Sequence, residues 1–379
     1  MNLKQTVNNF VRKEKNKITK LVPMKTISTK LKTLAAAMLV AGGMYAQDVH
    51  FSQYTLAPML LNPALAGLNQ CDYRVAANFR TQWTSISGLN TYSTVAGSVD
   101  MTVGKITKYN SFAGVGINYF YDQAGDLKFN TNRVDLNAAY HFMLNRKGTM
   151  SLSAGLQGSF NFRSIDASKA TFDSQWDNST GTVDPNGVKE TFGRTQMMFG
   201  DAGFGLFFSA LTKKDHNFYL GFSLVHVNQP KISFYPNSTD ASNVNERLYM
   251  KLSIHGGAQL YVTRKLAVVP HFMALVQGPA QQYNLGANVK MRLSNLPNDQ
   301  TAIYFGAQYR GLFYSKGGPV DAIILSTRAD YKGFTFAFSY DINVSKLMPA
   351  THTVGGPELT VMYQGCFRKK PRPGHCPAL

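Results

Sequence analysis

The sequence predicts a transmembrane outer-membrane β-barrel of about fourteen antiparallel strands with a short N-terminal plug segment, and three observations carry that prediction. Apolar and polar residues alternate with period 2 in run after run between residues 72 and 367, many of the runs near the ~10 residues of a tilted membrane strand. An export signal precedes the runs, and no later segment is long or apolar enough for a spanning helix, so any membrane must be crossed by strands. Long connections also fall on one side of the implied sheet and tight turns on the other, an asymmetry of outer-membrane barrels that a β-sandwich would not explain.

In chain order, the first 46 residues hold nine Lys and Arg against Glu14 alone. They account for +8 of the formal +18, and the remaining +10 or so suits a protein facing acidic surfaces. No zinc-finger spacing, basic helix or paired RNA-binding aromatics accompanies that charge, so nucleic acid is not an expected partner. Lys25, Lys30 and Lys32, the apolar run Leu34 to Val40, and Gly42, Gly43 and Ala46 read as a secretory signal cleaved between Ala46 and Gln47. The charged stretch ahead of Met24 is too long for such a signal, which makes Met24 the expected start. The expected organisation is a basic extension and signal over 1–46, a plug over 47–70, a barrel over 71–367 and a basic periplasmic tail over 368–379.

Phe51 to Gly67 reads Phe-Ser-Gln-Tyr-Thr-Leu-Ala-Pro-Met-Leu-Leu-Asn-Pro-Ala-Leu-Ala-Gly. Pro58 and Pro63 rule out a long helix, the apolar residues do not alternate, and flexible linkers are seldom so rich in Leu, Met and Phe. A packed plug fits this composition, with Pro58, Pro63 and the apolar residues between them inside the periplasmic half of the barrel and Leu60 and Leu61 each gaining roughly 1.5 to 3 kcal/mol by leaving water.

The cleanest strand signals are 150–162, 248–262, 283–293 and 334–344. Weaker ones lie near 72–83, 91–103, 111–121, 131–144, 196–209, 217–228, 266–277, 301–310, 320–331 and 357–367, which brings the count to an even number. Pro270 lies inside one of these runs, where a bulge is expected. If the first strand rises from the periplasm, the long gaps 164–195 and 228–246 lie outside the cell. The turns at 145–148, 212–216, 264–265 and 332–333 then lie inside.

The polar faces place Arg74, Arg80, Arg133, Arg163, Lys251, Lys290, Arg292 and Arg310 in the lumen with Asp100, Asp135, Asp201, Asp341 and Glu358. An internal salt-bridge network is the favoured reading, an anion channel the other. His141, His226, His255 and His271 lie on expected strands without a Ser or carboxylate at triad spacing, and Gly203-Phe204-Gly205 lacks the following helix of a phosphate loop. No catalytic, cofactor-binding or metal residue is therefore assigned, and the protein is not expected to be an enzyme. Cys71 begins the first strand, Cys366 closes the last, and Cys376 lies in the tail; in an oxidising compartment three pairings are open.

Phe51-Ser52-Gln53-Tyr54, then Leu61-Asn62-Pro63-Ala64 with Gly67, then Phe79-Arg80-Thr81-Gln82-Trp83 resemble the opening of the PorP/SprF family of outer-membrane proteins. The resemblance runs from about Gln47 to the end and includes Cys376-Pro377. It implies a component of the type IX secretion and gliding machinery of Bacteroidetes, helping to deliver or hold cargo such as adhesins at the cell surface in contact with periplasmic and outer-membrane machinery. It marks Phe51, Gln53, Tyr54, Pro58, Asn62, Pro63, Ala64, Gly67, Arg80, Gln82 and Trp83 as the motif and plug residues. It also favours a disulfide from Cys71 to Cys376, with a Cys366–Cys376 bond as the alternative. A pore or solute transporter of the same architecture is the competing function.

Overall fold

The computed structural model describes residues 48, 50–82, 92–105, 111–172, 175–177, 180–184, 193–212, 216–234, 246–294, 301–313, 320–346, 348–351 and 353–367. The signal and its cleavage site at Ala46 and Gln47, Trp83, the basic tail and Cys376 lie outside the described residues.

Fourteen strands close into a barrel: β1 (Tyr73–Gln82), β2 (Tyr92–Lys105), β3 (Phe112–Ala124), β4 (Phe129–Met143), β5 (Met150–Ser164), β8 (Gln196–Leu211), β9 (Asn217–Val225), β10 (Lys251–Tyr261), β11 (Leu266–Gln277), β12 (Ala280–Arg292), β13 (Ala302–Phe313), β14 (Ala322–Tyr331), β15 (Phe334–Asn343) and β16 (Pro357–Gly365). A small hairpin, β6 (Trp176–Asp177) with β7 (Thr182–Val183), sits in the connection from β5 to β8. Every pairing in the barrel is antiparallel, and β1 joins β16 to close the ring. We call the end where β1 begins and β16 finishes the terminal rim, and the opposite end the far rim. The longest connections, 165–195 and 226–250, leave the far rim. The asymmetry is incomplete, since the short 278–279 turn is also there and 293–301 lies at the terminal rim.

Alternation decides which face each residue takes. Leu136, Leu156, Leu285, Phe305 and Phe336 are exposed on the outside, where hydrocarbon would cover them, while Asn78, Asn118, Asp135, Ser153, Gln282 and Thr360 are buried within. Outward aromatics gather near both rims. Tyr283 meets Phe313 at 5.3 Å toward the far rim, and Phe334 meets Tyr363 at 4.6 Å toward the terminal rim.

Four expectations need correction. Pro270 makes no bulge: it pairs in register with Ala287 on β12, and on the β10 side the ladder lapses from Gly257–His271 to Leu260–Val268 without a shift. Its missing N–H removes a bond, not a residue's worth of register. Among the described residues a register shift does occur between β2 and β3, at Val103 and Lys105, where Gly104 has φ 57°. His226 is not on a strand, because β9 stops at Val225 and His226 turns with φ 62°. The strand expected from residue 248 begins at Lys251, with Leu248 bonded instead to the Pro230 carbonyl.

The fourth correction is the disulfide, which joins Cys71 to Cys366. The register pairs Tyr73 with Gly365, so the chain on either side of the seam is already adjacent and the two Cα atoms stand 4.5 Å apart. Closure of the ring sets Cys366 beside Cys71, which rules out the Cys71–Cys376 bond that the resemblance implies, and the Cys366–Cys376 alternative falls with it.

Candidate functional site: the plugged lumen

Asp48 and residues 50–70 thread the lumen from the far-rim half to the terminal rim. The two prolines leave only single turns: a 3-10 turn at Tyr54–Leu56, the four-residue helix α1 (Pro58–Leu61) with Pro58 in its first turn, and a 3-10 turn at Pro63–Leu65. Asn62 caps the last of these by accepting from the Ala64 amide at 2.9 Å, and its own amide group donates to the carbonyls of Leu206 and Phe222 at 3.0 and 3.1 Å. One side chain thus shapes the turn and ties it to β8 and β9.

The terminal-rim half of the plug is held largely by apolar burial. Tyr54, Leu61, Leu65 and Leu68 pack with Phe112, Met143, Phe207 and Met273, and Ala64 and Leu65 are fully buried. Leu56 packs on Ala76, Ala337 and Met362. The wall makes room with inward glycines: a side chain at Gly155 would overlap the Pro63–Ala64 backbone, and one at Gly205 would overlap Asn62. Gly67, at φ 71°, turns the chain out of the lumen against Gly114, while its amide donates to Asp100 at 2.8 Å. Asp100 is fixed by Arg74 through two bonds of 2.9 Å, and Arg74 also donates to the Leu65 carbonyl.

Toward the far rim the hold is polar. The amides of Ser52 and Gln53 donate to the two carboxylate oxygens of Glu358 at 2.7 and 2.8 Å. The Ser52 hydroxyl donates to Asp341 at 2.8 Å and accepts from Arg310 at 2.9 Å. Arg80 donates to the His50 carbonyl and lies 2.8 Å from Asp341, and Arg310 completes the cluster with Asp341 and Asp321. Further up, the Asp48 carboxylate meets His226 at 2.6 Å, Lys251 at 3.1 Å and Arg133 at 3.6 Å, and the other ring nitrogen of His226 faces Asp201. Burial alone would favour the neutral acid at Asp48, yet Lys251, His226 and Arg133 hold its carboxyl well below the usual range. Burial likewise opposes charge on His226, but Asp48 and Asp201 raise its imidazole above the ordinary value.

Phe51, Gln53, Tyr54, Pro58, Asn62, Pro63, Ala64, Gly67 and Arg80 therefore converge on one interface, with Gln82 half-buried at the far end of β1. Phe51 packs with Ala57, Ala96 and Phe120, and Tyr54 meets His271 at 2.7 Å. Of the other histidines, His141 bonds the Ala66 carbonyl and Ser153, while His255 stacks near Phe207. Asp48, His226 and the inward glycines 114, 155 and 205 belong to the interface but were missed in the sequence. A glycine where alternation calls for a lumen-facing side chain was the available signal.

A family model described as type IX secretion system membrane protein PorP/SprF matches residues 43–363. The chain belongs to the PorP/SprF family. It is accordingly an outer-membrane component of type IX secretion. The match stops before Cys366 and Cys376, so the family relation as matched carries no weight for a bond through the tail. No curated protein sequence matches the chain. Similar solved structures include the Ralstonia pickettii toluene transporter TbuX (11% identity, 83% of this chain and 94% of that one, TM-score 0.47). The CymD monoaromatic hydrocarbon channel (12% identity, 82% and 93%, TM-score 0.45) and a Pseudomonas aeruginosa FadL homologue (8% identity, 85% and 95%, TM-score 0.45) are others. At these identities the likeness is one of barrel architecture.

Proposed function

We propose that this PorP/SprF-family barrel works as a plugged scaffold, neither an enzyme nor an open pore. Its far-rim connections would hold secreted, adhesin-like cargo at the cell surface while its terminal rim meets periplasmic machinery. The observation that supports this best is that the lumen is occupied by the chain's own N-terminal segment, anchored near the terminal rim by Asp100 and near the far rim by Glu358 and Asp48. A conduit for solute would need that segment to leave, which means stripping buried carboxylates of their partners. The 165–195 and 226–250 connections, at the rim opposite the seam, are the surface available to cargo.

The competing reading is solute passage, which is what the names of CymD and TbuX state for those proteins. Planar-bilayer recording of the purified barrel separates the two. A quiet baseline is expected of a plugged scaffold, and a steady open conductance would reject it. In cells, deletion of the gene is expected to remove one or a few large surface proteins and leave solute uptake intact; lost uptake with an unchanged surface proteome would reject the scaffold.

A further inference from the structure

Charge is divided unequally between the two ends of the barrel. The six turns at the terminal rim carry eight Lys and Arg against Asp215 and Asp299, whereas the seven far-rim connections carry eight against nine Asp and Glu. Length does not account for this, since the far-rim connections are much the longer set. Three of the basic turns are described: Arg146 with Lys147 between β4 and β5, Arg264 with Lys265 between β10 and β11, and Lys332 between β14 and β15. All five side chains are exposed, and among the described residues Arg146, Lys147, Arg264 and Lys265 take part in no ion pair. Cations gathered on one rim without counter-charges repel one another, and an anionic surface within a Debye length relieves that repulsion.

The placement of these turns says what kind of surface that is. In the order of the ring they stand four strands apart, from β14–β15 to β10–β11 to β4–β5. A protein docked against one side of the barrel would meet one or two of them, while a lipid leaflet surrounds the barrel and meets all. Each turn also ends an outward apolar stripe. Leu144 and Met150 are exposed beside the first pair of cations, Val262 beside the second, and Tyr331 and Phe334 beside Lys332, whose ammonium stands 5.1 Å over the Tyr331 ring. Outward apolar and aromatic side chains mark where hydrocarbon gives way to headgroups, so these cations lie at the depth of lipid phosphates. The long stems of Lys and Arg can follow the apolar girdle while their charged ends reach that layer.

We propose that the terminal rim binds the headgroups of anionic glycerophospholipids in the leaflet around it, with Arg146, Lys147, Arg264, Lys265 and Lys332 as the phosphate-facing groups. The lipid is selected by its net negative charge, which a zwitterionic headgroup lacks. A ring of such contacts holds the barrel at one depth in the membrane. The inference goes beyond the scaffold reading and does not depend on it.

Electron spin resonance on the full chain reconstituted in phosphatidylcholine vesicles tests it. The probes are phosphatidylglycerol and phosphatidylcholine spin-labelled on the acyl chain, whose motionally restricted fraction reports the lipid in contact with the barrel. Phosphatidylglycerol is expected to be enriched there about threefold or more over phosphatidylcholine, an effect of the size that a Lys or Arg near an anionic surface supplies. Molar salt is expected to remove most of that preference. Combining Arg146→Gln, Lys147→Gln, Arg264→Gln and Lys265→Gln is expected to bring the ratio close to one. Combining Lys128→Gln, Lys169→Gln, Lys231→Gln and Arg247→Gln takes the same charge from the far rim and is expected to leave the ratio unchanged. The Cys71–Cys366 bond and heat-modifiable gel mobility report that each variant is folded. A ratio near one for the unaltered chain would overturn the proposal, as would an equal fall in the two folded variants. A ratio near one together with binding of a labelled oligoglutamate by the detergent-purified chain, lost in the terminal-rim variant, would assign the rim to an acidic protein instead.

Discussion

Glu358 accepts the amides of Ser52 and Gln53 in a buried setting, so Glu358→Ala strands two backbone donors. Each costs about 1–3 kcal/mol. The expected outcome is faster proteolysis within 50–60 of the purified barrel, with Glu358→Gln intermediate because an amide oxygen can still accept; equal protection in all three would contradict the anchoring role. His226 adds a pH dependence whose sign follows from its raised imidazole. Facing Asp48 and Asp201, with Lys251 and Arg133 beside Asp48, it contributes fully below the unfolded value near 6.5 and loses that contribution as pH rises through its higher folded value. Asp48 behaves oppositely: its contribution is present above about 3.8 and disappears only in stronger acid. The melting temperature should therefore fall as pH climbs above the imidazole range, and His226→Gln should flatten that slope.

Among the elements, the seam between β1 and β16 is the one a covalent bond reinforces. Cys71→Ser is expected to cost about 2–4 kcal/mol, read as an earlier denaturant midpoint under non-reducing conditions, whereas Cys376→Ser should leave the midpoint where it is. A midpoint lowered equally by both would restore the tail pairing. All fourteen strands were legible as alternation, because one face meets lipid and the other polar groups and the two periods rarely blur. The plug was legible only as a packed, proline-broken segment. Its partners were not, because Glu358, Asp341, Asp201 and Lys251 reach it from strands up to about three hundred residues away and no local pattern records which carboxylate meets which amide. The ion pairs of His226 were hidden for a related reason, since Asp48 and Asp201 reach its ring from distant parts of the chain, although its left-handed turn is closed locally by the Gln229 amide on the His226 carbonyl.

At the scale of the whole molecule, orientation is the first thing to test. Single cysteines at Thr180 and Glu246 on the far rim should react with an impermeant reagent on intact cells, and those at Arg264 and Lys332 on the terminal rim should not. The reverse would turn the barrel over. The route of the plug then bears on how the protein assembles. Residues 48–70 are made before any strand, yet Asp48 finds its partners on β4 and β10 and beyond β9, and Ser52 finds its own on β13, β15 and β16. The N-terminal segment has nowhere to dock until most of the wall exists, and the glycines at 155 and 205 leave no slack around it once it is docked. The wall is expected to wrap its own leading end like sheet metal rolled around a mandrel, with the joint at Cys71 and Cys366 made last.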